Sequence, residues 1–146
     1  RNGYSIIFDE EEVRSMGRIA RGVKGIKLRD GDEVVGMDTI KRDSEILTVT
    51  AGGYGKRTKV EEYTTHHRGA MGVINLRVTE KTGEVIGLKV VRDGQELMLI
   101  STNGIIIRTG LDKISVIGRA SQGVIIMKTA EDDKVASMAI LTQKAE

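Results

Sequence analysis

"TAGGYGKRTKVEEY", Thr50 to Tyr63, brings together glycines, a lysine and nearby threonines. These are ingredients of a phosphate cradle, but the spacing is wrong for one. A G-x-x-x-x-G-K-[ST] loop wraps phosphates with backbone N–H groups and sends a hydroxyl to the metal. Counting back from Gly55-Lys56 puts Thr50 where the first glycine belongs, and Arg57 follows the lysine where Ser or Thr is needed. A dinucleotide pattern, G-x-G-x-x-G, starts at Gly53-Tyr54-Gly55 but ends on Thr58. No amphipathic helix follows to hold a pyrophosphate at its N-terminus, since Val60 and Tyr63 are the only apolar anchors of "KRTKVEEY".

Moving outward, the same turn recurs. "RNGYSIIF" carries it at Gly3, "GGYGKRTKV" at Gly53 and "TNGIIIRTG" at Gly104, so the steps are 50 and 51 residues. A second landmark follows each turn: "RGVKGIKL", "RGAMGVINL" and "ASQGVIIMK", with glycines at Gly25, Gly72 and Gly123. A third is "DEVVGM", "GEVIGL" and "DKVASM", at Gly36, Gly87 and Ser137. Three landmarks in one order, three times, define a repeat, with units at about 1–44, 45–95 and 96–146.

Each unit reads as strands. "EILTVT" (Glu45–Thr50) and "ELMLIS" (Glu96–Ser101) are short aliphatic runs that end at a turn. Asn103-Gly104 is a strong hairpin signal, and glycine at Gly53 supplies the positive φ such a turn needs. "GVINLRV" (Gly72–Val78) alternates Val73, Asn75 and Arg77 with Ile74, Leu76 and Val78, and "EVIGLKVV" (Glu84–Val91) is a further strand. About four antiparallel strands per 50 residues predict an all-β protein built of propeller-like blades. Only "DEEEVRSMGR" (Asp9–Arg18) suggests a helical turn. Repeat one has no strand before its turn, which predicts a truncated first blade with further blades upstream. It also predicts an open edge along Arg1–Phe8 that recruits another chain by strand exchange or self-association.

Composition agrees with a packed domain and excludes several classes. Of 146 residues, 39% are apolar but only 3% aromatic, so the core is aliphatic. Glycine is abundant at 18 and cysteine is absent, which removes disulfide frameworks and thiolate metal sites. No apolar run approaches the roughly 20 residues of a membrane-spanning helix. The first residues lack a signal-peptide shape, and a cytoplasmic protein is expected.

Net charge is only +2, so the placement of the cations matters more than their number. Basic residues gather between the turn and the second landmark. Repeat one has Arg14, Arg18, Arg21 and Lys24; repeat two has Lys56, Arg57, Lys59 and Arg68, with His66 and His67; repeat three has Arg108, Lys113 and Arg119. Equivalent positions on successive blades would form a curved positive track suited to a phosphate backbone. The acidic neighbours Asp9 to Glu12, Glu61, Glu62 and Asp112 equally suit a solvated face of mixed charge. No catalytic constellation stands out. His66 and His67 are adjacent and no other histidine exists, which disfavours a metal site. Glu61 and Glu62 are neighbours that point apart on an extended chain. Neither Ser101 nor Ser115 has a base to activate it. The six methionines, including Met98 and Met127, lie in apolar runs as core residues.

"GGYGKRTKVEEYTTHHRGAMGVINLRVTEKTGEVIG" closely resembles a blade of the C-terminal domain of the DNA gyrase A subunit, and "MGRIARGVKGIKLRDGDEVVGM" and "STNGIIIRTGLDKISVIGRASQGVIIM" resemble neighbouring blades. The topoisomerase IV A subunit shares the blade type. The resemblance implies a β-pinwheel, with strands exchanged between neighbouring blades, that binds and wraps double-stranded DNA without doing chemistry. It implies as partners the gyrase B subunit, together with the rest of the gyrase A subunit, near the nucleoid. It implies no cofactor in this chain, ATP and Mg being used elsewhere in the whole enzyme. The glutamine-arginine-glycine-lysine box that the family associates with wrapping is not found here. The expected phosphate contacts are the eleven cations named above, with Lys56, Arg57 and Arg68 exposed on the outer rim. The reading that competes is a structural or protein-interaction propeller without nucleic-acid binding.

Overall fold

The computed structural model describes residues 1–142. Nine strands follow in order: β1 (Tyr4–Ser5), β2 (Glu45–Thr50), β3 (Tyr54–Lys59), β4 (Val73–Ile74), β5 (Val85–Val91), β6 (Gln95–Ser101), β7 (Ile106–Gly110), β8 (Val124–Ile125) and β9 (Val135–Thr142). There is no α-helix among the described residues, so none is long and apolar enough to cross a membrane. Three single 3-10 turns, Glu10–Glu12, Val60–Glu62 and Leu111–Lys113, occupy one position in each repeat. Only the first lies where a helical turn is expected from sequence, and it starts on a cap from the Asp9 carboxylate to the Glu11 N–H.

All pairing is antiparallel within three sheets, apart from two isolated parallel bridges, Ile7 with Thr65 and Arg57 with Val116. The order β5-β2-β3-β8 makes a four-stranded sheet whose outer strand, β8, comes from repeat three. In the same way β4 of repeat two pairs with β1 of repeat one, and β7-β6-β9 forms the third sheet. Repeats two and three have the same register. Glu45 faces Lys59 and Val91, and Glu96 faces Gly110 and Leu141. A bulge falls at the end of the central strand in both, at Val49/Thr50 and at Ile100/Ser101.

Alternation along these strands sends Leu47, Val49, Leu97 and Leu99 into one core, joined by Val91, Leu111, Ile114, Met127 and Val135. Each such side chain contributes about 1.5–3 kcal/mol on burial. Aliphatic residues carry this core; Tyr54 and Tyr63 are the buried aromatics.

Two strand expectations change. "GVINLRV" pairs only at Val73–Ile74, because Asn75 and Leu76 both turn inward. Asn75 donates to Thr48 Oγ1 at 2.9 Å and accepts from the Tyr63 hydroxyl. Both Asn75 and Leu76 give their backbone N–H to the Gly3 carbonyl, at 2.7 and 3.1 Å, which bends the chain. Four strands per unit hold for repeats two and three, whereas repeat one contributes β1 alone among the described residues. A cavity of about 410 Å³ lies between its Tyr4–Phe8 segment and Val34–Ile40, walled by Ile46, Leu88 and Val90 of repeat two.

Candidate nucleic-acid interface

The strand exchange decides which cations reach solvent. Lys56 lies on β3, and the chain of repeat three that leads into β8 covers it completely, leaving 0% exposed. Its ammonium donates to three carbonyls of that segment, Gly118 at 2.9 Å, Arg119 at 2.5 Å and Ser121 at 3.0 Å. Those three acceptors match the three donors of a lysine. Burial pushes its pKa down to about 8, with Glu62 opposing and Arg119 adding to the shift. Arg57, 7% exposed, donates from Nε to the Ile114 carbonyl at 2.9 Å and from Nη1 to Glu45 at 2.7 Å. Its backbone joins the same segment through Ser115 and Ile117, both at 2.9 Å. The expected exposure of Lys56 and Arg57 on the rim is therefore overturned. They bind the next repeat from inside the blade.

Arg68 and Arg119 form a second inter-repeat class. Each stands four residues before a landmark glycine, and each is half-buried. Arg68 donates from Nε to the Glu12 carbonyl at 3.0 Å and from Nη1 to the Lys24 carbonyl at 3.1 Å, both in repeat one. Arg119 reaches the Ile74 carbonyl of repeat two. Their backbone N–H groups are held at 2.8 Å by Glu12 and Glu62, equivalent carboxylates of the preceding repeat. The Arg68 N–H, and then His67 at 2.9 Å, hold the Glu12 carboxyl below its usual range. Two of the acidic neighbours that dilute the positive charge in sequence are thus engaged in fixing the chain.

The remaining expected cations are exposed: Arg14, Arg18, Arg21, Lys24, Lys59, Arg108 and Lys113. Lys59 precedes the second 3-10 turn, where repeat three has Gly110, and Lys113 ends the third, where repeat two has Glu62. Arg108 pairs with Glu96 through Nε at 2.7 Å while its side chain stays 61% exposed. Nine further exposed cations among the described residues were not singled out from the sequence, Lys27, Arg77 and Lys128 among them. Arg77 and Lys128 each stand five residues after a landmark glycine, and Lys27 follows the landmark of repeat one. Their signal was a basic residue recurring after the second landmark. Arg29 is also new: it lies 3.5 Å from the Tyr4 ring centroid and donates to the Met71 carbonyl at 3.0 Å. No group of three metal-ligating side chains occurs among the described residues.

The family described as the DNA gyrase C-terminal domain, beta-propeller, matches residues 1–41, 44–92 and 95–142. The chain belongs to this family. The gyrase C-terminal domain fold extends to solved structures. A DNA gyrase A C-terminal domain superposes with a TM-score of 0.88 at 29% identity, covering 96% of this chain and 48% of that one. The C-terminal domain of a DNA topoisomerase IV gives 0.90 at 29% identity, covering 97% and 44%. Among curated relatives, the DNA gyrase A subunit of Salmonella typhimurium is 46% identical over 136 residues, and that of Staphylococcus aureus 43% over 143 residues. The chain spans 16% of the length of each, and 93% and 97% of the chain is covered.

Proposed function

We propose that this gyrase C-terminal domain binds duplex DNA along its phosphate backbone and bends it around a rim of recurring cations. In the full-length cytoplasmic protein it would serve as the wrapping module of a gyrase A subunit, working with gyrase B and ATP bound elsewhere to introduce negative supercoils. The observation that carries the reading is recurrence: exposed cations return at a matching place, Arg77 with Lys128. Arg21, Arg68 and Arg119 stand at a second such place, with the last two half-buried. Paired guanidinium N–H groups grip a phosphate, whereas lysine acts as a point charge. No aromatic or amide cluster accompanies them, so sequence preference reduces to the ease of bending.

The test is duplex affinity as a function of salt. Replacing Arg18, Arg21, Lys59 and Lys113 together by glutamine is expected to weaken binding by a similar factor for unrelated duplexes. The log-affinity against log-salt slope should become shallower by about 0.9 for each phosphate no longer neutralised. A folded quadruple variant with an unchanged slope would refute the assignment, and a wild-type domain that ignores duplex DNA at low salt would refute the function.

A further inference from the structure

Repeats two and three present their half-buried arginines on matching turns, His67–Ala70 around Arg68 and Gly118–Ser121 around Arg119. The two tips face opposite ways. Gly69 follows Arg68 with a φ of 81°, whereas Ala120 follows Arg119 with a negative φ. Turns of these two kinds differ by turning over the central peptide. The hydrogen bonds carry the same inversion. The Gly69 N–H donates inward, to the Gly25 carbonyl at 2.6 Å. In the matching peptide of repeat three it is the Arg119 carbonyl that points inward, to the Lys56 ammonium at 2.5 Å.

Lys56 accounts for the difference. Its ammonium, fully buried, also donates to the Gly118 carbonyl at 2.9 Å, the Ser121 carbonyl at 3.0 Å and the Ser121 hydroxyl at 3.2 Å. The residue at its place in repeat one, three after the turn glycine, is Ile6, which has no side-chain donor. A trans peptide carries its C=O and the following N–H on opposite sides. With the Arg119 and Ser121 carbonyls held inward, the N–H groups of Ala120 and Gln122 face out. Both residues are exposed, and neither N–H has an acceptor among the described residues. Glu62 occupies the Arg119 N–H at 2.8 Å. Arg77 stands beside the turn, with its own N–H on the Ser121 carbonyl at 3.0 Å and its side chain exposed. A following repeat does not cover such a turn: repeat two has a neighbour on either side, and the hydrogen bonds of residues 67–70 run to repeat one.

We propose that Lys56 is a positioning residue for duplex DNA: from inside the blade it turns the Arg119–Gln122 main chain over, so that the Ala120 and Gln122 N–H groups donate to phosphate oxygens beside Arg77. The assignment rests on the DNA reading above and refines it. Outward N–H groups are fixed dipoles that favour an anion without ordering a long side chain. Lys56 itself touches no DNA. The His67–Ala70 turn spends its matching N–H on Gly25, so the two tips contribute unequally to the rim.

The test is a proton–nitrogen NMR titration of the 146-residue chain with a short duplex of random sequence at low salt. The Ala120 and Gln122 amide protons should shift downfield and exchange more slowly as duplex is added, while the Gly69 amide, already bonded, changes far less. Lys56→Met, checked for folding by circular dichroism, should abolish both responses and weaken duplex binding by roughly tenfold. A lysine that served stability alone would leave both amide responses of the folded variant as in wild type. Should Lys56→Met not fold, Lys56→Gln keeps two N–H donors and should show a partial loss. Duplex binding that leaves both wild-type amides unmoved would overturn the proposal, as would a folded Lys56 variant whose amide responses and affinity match wild type. A chain that ignores duplex DNA altogether would overturn the reading beneath it, and the proposal with it.

Discussion

β3 and β7 are the same strand in two settings. Both follow a positive-φ glycine, both pair with the strand before that turn, and both carry an arginine bonded to a glutamate across the ladder, Arg57 to Glu45 and Arg108 to Glu96. Repeat three covers β3, and nothing described covers β7. The result is an arginine 7% exposed on one and a side chain 61% exposed on the other. The difference teaches that charge at a given repeat position has no fixed role. The neighbour decides whether the cation becomes an internal donor or a surface charge.

The comparison is broken most severely at the glycines. Gly53→Ala places a methyl against the Met127 carbonyl and is expected to cost about 4 kcal/mol, at the upper end for a point change. Gly104→Ala meets open space and should cost only the left-handed strain of about 1 kcal/mol. Chemical denaturation of the two variants measures the gap, and equal losses would show that the cover over β3 is not real in solution.

Lys56→Met keeps the volume but strands the carbonyls of Gly118, Arg119 and Ser121, with an expected loss of roughly 3 kcal/mol. The equivalent residue of β7 is already Ile107, so Ile107→Met should be nearly neutral, at under about 1.5 kcal/mol. Wild type should also gain stability as pH rises from about 8 toward the ordinary lysine range near about 10.4, because the folded state releases that proton first. The variant should lack that rise.

Arg57→Ala removes a buried bond to Ile114 as well as the ion pair and should cost about 2 kcal/mol. Arg108→Ala loses an exposed pair worth under about 1 kcal/mol. If the proposed DNA contact is correct, the two should rank in the opposite order for duplex affinity, read by anisotropy at fixed salt.

The smallest expected effect concerns the turns themselves. The turn before β7 is braced by Asp133, which accepts from the Thr102 hydroxyl at 2.7 Å and the Asn103 N–H at 3.0 Å. Thr82 holds the matching place before β3, and its carbonyl accepts the Gly52 N–H at 2.8 Å. The Ser101 and Thr102 hydroxyls hold the Asp133 pKa down to about 2. That contribution is present above the ordinary aspartate range near about 3.9 and is lost as pH falls through about 2. Thermal melts across this window should fall less steeply for Asp133→Asn than for wild type.

Much of the fold is legible in the residues. Glu45–Thr50 is a strand with the bounds its aliphatic run implies, and the turn glycines carry the positive φ that their spacing demands. These features are local, set by alternation and by the one residue type that tolerates the turn. What sequence does not reveal depends on contacts from 12 to 65 residues away. "GKRT" reads as a polar strand start on a rim, yet Lys56 is buried by backbone carbonyls at Gly118, Arg119 and Ser121, which have no side-chain signature. "GVINLRV" alternates like a full strand, but the amide of Asn75 is drawn inward by Thr48 and Tyr63 from elsewhere in the chain. The exposed cations were findable because a charge repeated at a fixed interval is visible in one dimension.

The joints between repeats are written in main chain. The carbonyls of Gly3 and Gly53 each receive two backbone N–H groups from the following unit, whatever side chains those residues carry: Asn75 and Leu76 at one joint, Ile126 and Met127 at the other. A grammar of this kind does not care how many words it links. Excising or duplicating one period of about 50 residues would bring together ends that already interlock, so gene-level recombination could lengthen or shorten the array without inventing a new interface.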